Sequence, residues 1–178
     1  DDFIKPFDKH SMHMPLKNNF IPDNMSVAKV TKKSDYPDKV VNDKRGFIWY
    51  QKDSEFLKPR AKVSFVLMSP AAAQTPLNKV KAILYHKALG EKLNEWKYEV
   101  LLAGLDFSIS HSPRGVSLSF EGFSQHLPKL IREVADKLKD ITIDEDLFKL
   151  LKKEFKRDIS NHQYDKAYQQ TLYEMQNL

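Results

Sequence analysis

Residues 77–131, LNKVKAILYHKALGEKLNEWKYEVLLAGLDFSISHSPRGVSLSFEGFSQHLPKLI, run in order through a long amphipathic helix, a hairpin and the start of a second helix. Leu77, Val80 and Leu84, then Leu89, Leu93, Trp96, Val100 and Ala103, return at helical spacing. One apolar stripe therefore runs along a helix of about 27 residues, roughly 40 Å long. Just upstream, Thr75 offers a capping hydroxyl, and Pro76 stands at the first helical position, where its missing N–H costs nothing. Gly104, after Ala103, is the natural stop. Gly90 in the interior costs up to ~1 kcal/mol relative to alanine, so a bend or a closely packed neighbour is expected there.

The next segment alternates strictly. Leu105, Phe107 and Ile109 fall on one face, with Asp106, Ser108 and Ser110 on the other. After Ser112-Pro113-Arg114-Gly115 the alternation resumes, with Val116, Leu118 and Phe120 against Ser117, Ser119 and Glu121. Proline second and glycine fourth suit a type I turn, so an antiparallel hairpin with one wet, serine-rich face is expected. Its apolar face requires helices to cover it. Ser124 is the expected cap of a helix carrying Leu127, Leu130, Ile131, Val134 and Leu138. Thr142 with Glu145 reads as a capping box for one carrying Phe148, Leu151, Phe155 and Ile159. A last helix sets Tyr164, Tyr168, Leu172 and Met175 on one side, and Leu178 follows with no further strand.

Upstream, residues 1–45 are rich in Pro, Asn, Asp and Lys and sustain neither a helical nor a strand period, which reads as an extended linker. Residues 46–178 form the expected domain. Phe47-Ile48-Trp49-Tyr50 is a strand of high β propensity, and Lys62 to Met68 is another, joined through the turn-rich Asp53 to Pro59. Because Val66 and Met68 are apolar as well as Val63, Phe65 and Leu67, this second strand reads as an inner one, buried on both faces. The pattern as a whole is α+β, with a largely antiparallel sheet packed against long helices.

At 178 residues, 41% hydrophobic and 30% charged, the chain has the balance of one globular domain. With no cysteine, disulfides and thiolate zinc sites are excluded. No apolar run approaches the roughly 18 residues of a membrane span, and no signal-peptide pattern is present. The compartment is not fixed by this, the cytoplasm being favoured. A net charge of +5 admits a basic nucleic-acid-binding reading, but lysines and acids interleave instead of forming a block, and the aromatic residues lack an RNP-like motif. Neither nucleic acid nor membrane is expected as a partner. Lys149, Lys152, Lys153, Lys156 and Arg157, interleaved with Glu154 and Asp158, read as a solvated helix face.

The six histidines build no metal site. His10 and His13 stand three apart in an irregular segment with no acidic or histidine partner nearby. His111, His126 and His162 read as surface or packing residues. No catalytic, cofactor-binding or metal-ligating residue is expected in this chain.

Several phrases together carry a family resemblance. Asn19-Phe20-Ile21-Pro22, then Trp49-Tyr50 with Asp53, Phe56 and Pro59-Arg60-Ala61, resemble the start of the middle (third) domain of insulin-degrading-enzyme-like peptidases, the insulysin branch of the pitrilysin (M16) family. Ser69-Pro70, Leu93-Asn94-Glu95 through Leu102-Ala103-Gly104-Leu105, and Ile143-Asp144-Glu145 with Phe148 are similar to the same domain, in the same order. The resemblance runs from about Leu16 to Met175. It implies a two-layer α/β domain of the LuxS/M16-like metallopeptidase type with a mixed, largely antiparallel sheet, truncated here at its C-terminus. It also implies a parent zinc metalloendopeptidase of four such domains enclosing a peptide chamber.

In that family the zinc is held by His-x-x-Glu-His on the first domain and a downstream glutamate, the motif glutamate acting as general base. The topologically corresponding helix here reads Tyr85-His86-Lys87-Ala88-Leu89-Gly90, without the second histidine or the glutamate. The family's substrate-holding Arg and Tyr belong to the fourth domain, and substrate pairs with a strand edge of the first. The expected function is thus a non-catalytic structural domain forming part of the chamber wall. Its partners are the other domains of the same polypeptide and the parent's peptide substrates, and its zinc is held elsewhere. The alternative is a domain of a catalytically inactive homologue that serves as a binding or assembly subunit.

Overall fold

The structure, a computed structural model, describes residues 17–27, 29–30, 34–72, 74–112 and 115–176. In chain order these form strands β1 (Asp38–Asp43), β2 (Gly46–Tyr50) and β3 (Arg60–Met68), helix α1 (Pro76–Leu102) and strands β4 (Asp106–Ser112) and β5 (Gly115–Phe123). Helices α2 (Leu127–Asp140), α3 (Glu145–Asn161) and α4 (Ala167–Gln176) follow. β1 and β2 make a two-stranded antiparallel ribbon. β3, β5 and β4 make a three-stranded sheet in that order, antiparallel throughout, so the parallel pairing of a mixed sheet has no counterpart among the described residues.

Helix α1 begins as its sequence dictates, with the Thr75 side chain accepting the Asn78 N–H at 3.1 Å and Pro76 at its first position. It ends where Gly104 takes φ +73°. Leu84, Leu89, Leu93, Val100 and Ala103 of the stripe are buried, whereas Leu77 at the tip lies exposed. Gly90 is not a close approach: an added Cβ there would meet nothing within 4 Å.

The expected hairpin is β4–β5, with Phe107 opposite Phe120 and Ile109 opposite Leu118. Its turn, Pro113-Arg114, lies outside the described residues. The apolar face packs under two helices: Leu93, Val100 and Ala103 of the α1 stripe and Leu127, Leu130 and Val134 of α2 close one core over Phe107, Leu118 and Phe120. A smaller cluster joins α1 to α3 through Leu84, Ala88 and Leu151. Lys92 to Asp144 at 2.6 Å and Lys87 to Asp158 at 2.9 Å flank that contact.

Four expectations are corrected. Ser124 does not cap α2; its hydroxyl and its N–H both donate to the Pro59 carbonyl, and His126 takes the cap position without a side-chain bond. Asp144, not Thr142, caps α3, its carboxylate accepting the Leu147 N–H at 2.9 Å. The hydrogen bond from Lys92 and then that from the Leu147 N–H hold the Asp144 carboxyl below its ordinary range.

Third, β3 is an edge strand, and β5 is the inner one. The helix layer does not reach over the far half of β3, so Phe65, Val66, Leu67 and Met68 are all exposed, Met68 at 69%. Fourth, the segment read as extended without strand period contains β1, whose register shift between Lys39 and Val41 interrupts the alternation that would announce it. The same segment places Phe20 in the main core. Phe148 and Ile159 of α3, and Tyr164, Tyr168, Leu172 and Met175 at the end of the chain, are exposed.

Candidate functional site

The three-stranded sheet has two unlike faces because paired residues of an antiparallel ladder point the same way. On the helix side stand Val63, Phe65 and Leu67 of β3, Val116, Leu118 and Phe120 of β5, and Phe107, Ile109 and His111 of β4. On the other side, Ser64, Ser119 and Ser108 form one cross-strand row, Val66, Ser117 and Ser110 the next, and Lys62, Glu121 and Asp106 a third. No described helix packs against this second face.

The polar side chains of the face are held in place by one another. Ser64 Oγ and Ser119 Oγ share a hydrogen bond at 3.1 Å, and Lys62 Nζ reaches Glu121 Oε2 at 3.2 Å. Asp106 pairs with Lys97 of α1 at 3.3 Å around the β4 edge. Lys62, Asp106, Ser108, Ser119 and Glu121, with the Phe107 backbone strand beneath them, border a shallow depression of about 200 Å³. Such a face offers hydroxyl donors and acceptors and one carboxylate–ammonium pair, but no activated nucleophile: no serine of it has a histidine within hydrogen-bond reach among the described residues. It can hydrogen-bond a passing chain.

The histidines are dispersed. His10 and His13 lie outside the described residues. His86 sits on α1 and its Nε2 donates to the Ile109 carbonyl at 2.6 Å, which ties the helix to β4. His111 points to the helix side of β4, and His126 begins α2. His162 Nδ1 lies 2.7 Å from Asp165 at the end of α3. Among the described residues, no three or more His, Asp or Glu side chains converge on a common point. Zinc therefore does not fit the residues around His86.

One arrangement escaped the sequence reading. Residues Asn18–Asn24 cross α1 and α2 as a strap, with the ring of Phe20 seated edge-on to Trp96 of α1 at 5.9 Å and Lys129 of α2 above it at 5.0 Å. Asn18 Nδ2 donates to the Glu99 carbonyl at 2.7 Å, and Gln125 Oε1 accepts the N–H groups of Asp23 and Asn24 at 3.0 and 2.9 Å. Gln125 also donates to the Asp23 carboxylate, which holds that carboxyl below its ordinary range. Phe20 is one of several aromatic and aliphatic residues scattered without period through this segment, so no local pattern marks it as the anchor.

The whole chain, residues 1–178, matches the family described as the middle or third domain of peptidase M16. Among curated proteins it is similar to the insulin-degrading enzyme of Bos taurus, at 29% identity over 178 residues, covering 97% of this chain and 18% of that protein. It is also similar to nardilysin of Rattus norvegicus, at 29% over 157 residues, covering 87% of this chain and 14% of that protein. Among solved structures, that of pitrilysin superimposes with a TM-score of 0.81 at 26% identity over 89% of this chain and 17% of its own. The chain thus spans less than a fifth of the length of each.

Proposed function

The chain belongs to the peptidase M16 family as its middle or third domain, and from that premise we propose that it is a non-catalytic structural domain of a zinc metalloendopeptidase, forming part of the wall of the enclosed chamber that receives peptides. The observation that carries this reading is the asymmetry of the sheet. One face is sealed by α1 and α2, while the other presents serines and the Lys62–Glu121 pair to solvent with no described element over it. A surface that must let many peptides slide past is served by short hydroxyls, which hydrogen-bond any backbone and add little apolar adhesion.

The zinc and its general base belong, in this reading, to another domain of the same polypeptide. Among the described residues no metal-ligand set gathers, and in this reading the chain's own contribution is steric and polar: it bounds the chamber, holds the serine face in register through β5, and supports its neighbouring domain. The partners are those other domains and the peptide substrates. Function resides in the site and not in the fold. Hydrolysis of a quenched fluorogenic peptide by the purified 178-residue chain tests the non-catalytic half of the reading. No turnover above buffer is expected with or without a zinc chelator, and chelator-sensitive turnover that persists through repurification would overturn it.

A further inference from the structure

We propose that residues Asn18–Asn24 form a releasable strap, fastened across α1 and α2 by the buried ring of Phe20 and a few side-chain hydrogen bonds, and able to open while the rest of the domain stays folded. Phe20 is only 4% exposed, yet Asn19 and Ile21 beside it are exposed, Ile21 at 59%, and so are Asp23 to Val27. Within the strap, Phe20 alone is buried.

The hydrogen bonds that accompany it use side chains at one end or the other: Asn18 to the Glu99 carbonyl, Gln125 to the Asp23 and Asn24 amides, and Lys129 to the Asn19 carbonyl at 3.4 Å. Among the described residues the strap exchanges no backbone–backbone hydrogen bond with the rest of the domain, its one such bond being internal, from Ile21 to Asn18. It adds no strand to a sheet and no turn to a helix. Pulling Phe20 out therefore breaks no ladder, and the two helices remain joined through Val100, Leu130 and Val134 beneath it.

Fastened, the strap holds Asn18 against α1. Released, its seven residues give roughly 25 Å of additional extended chain. Low-stability segments of this kind open locally at far lower cost than the whole molecule. The strap is argued from contacts within this chain and does not rest on the peptidase reading; only its use as an adjustable tether between domains does.

Amide hydrogen exchange followed by mass spectrometry on the 178-residue chain tests it. In Phe20→Ala the amides of residues 18–24 are expected to exchange about 10- to 100-fold faster, the range set by removing one buried aromatic side chain. Those of α1 from Leu93 to Val100 and of α2 from Leu130 to Val134 are expected to stay within about threefold of the unaltered protein. Gln125→Ala, at an exposed position, is expected to quicken Asp23 and Asn24 and to leave Phe20, whose N–H bonds to Asn18 Oδ1 at 2.9 Å, nearly unchanged. If strap and core amides quicken together in both variants, or Phe20→Ala does not fold while Gln125→Ala quickens the core, the strap is an integral part of the core and the proposal is wrong. Unchanged strap exchange in Phe20→Ala would equally contradict it.

Discussion

Replacing Phe120 by alanine is expected to destabilise the chain by about 3–5 kcal/mol, the range for truncating a fully buried aromatic. Phe120 sits in the middle of β5, the inner strand, and is 1% exposed. It faces Val63 on one side and Phe107 on the other. Its ring stacks on Phe107 at 6.4 Å and meets Phe65 edge-on at 6.0 Å, so truncation removes two aromatic contacts and leaves a cavity under both helices. The surrounding shell is poorly placed to collapse, because the strands on either side are fixed by the ladder. Urea denaturation measures the loss, and a change below about 1 kcal/mol would mean that the helix layer does not rest on this face.

Gly122→Ala should be comparably severe, for a different reason. Gly122 has φ +138°, a conformation L side chains rarely adopt, and a Cβ built there would lie 2.6 Å from the Gly104 carbonyl oxygen and 2.7 Å from Leu105 Cα. Both obstacles are backbone, at the corner where α1 turns into β4, so nothing flexible can give way. Strain of roughly 1–3 kcal/mol adds to overpacking of similar size. Gly90→Ala is the matched control. That glycine is exposed in the middle of α1 and a Cβ meets nothing, so the same change there is expected to stabilise by up to about 1 kcal/mol. Parallel thermal and urea melts of the two variants, with opposite signs expected, separate backbone obstruction from any general cost of adding a methyl group.

The parts of the fold legible in the sequence were those whose signals are periodic and bounded. Thr75-Pro76 and Gly104 bracket α1, and the alternation from Leu105 to Glu121 defines the β4–β5 hairpin and its serine face. Caps were legible only to within a few residues. Thr142 and Asp144 are both capping types, and the charged carboxylate, with Lys92 beside it, holds the position. Ser124 is a good cap whose hydroxyl is already engaged by Pro59. Apolar residues on both sides of β3 were ambiguous, because an inner strand and an uncovered edge strand share the same pattern, and only the position of the helices decides between them. β1 stayed hidden because its bulge breaks the period, and Phe20 because a single anchoring side chain has no period at all.

Of the candidate site, the serine rows of β4 and β5 were legible from alternation. The joining of Ser64 and Lys62 to those rows depends on β3 pairing with β5 across 50 or so intervening residues, which no local pattern encodes.

Site-specific photocrosslinking in the full-length parent tests most directly whether this serine face lines the peptide chamber. A benzophenone amino acid placed at Ser119, in the middle of the exposed face, is expected to form a covalent adduct with a bound substrate peptide, and unlabelled peptide should compete it away. The same residue at Lys153, on the exposed side of α3 in the helix layer, should form none. Adducts at Lys153 with none at Ser119 would place the helices, not the serine face, toward the substrate and contradict the account.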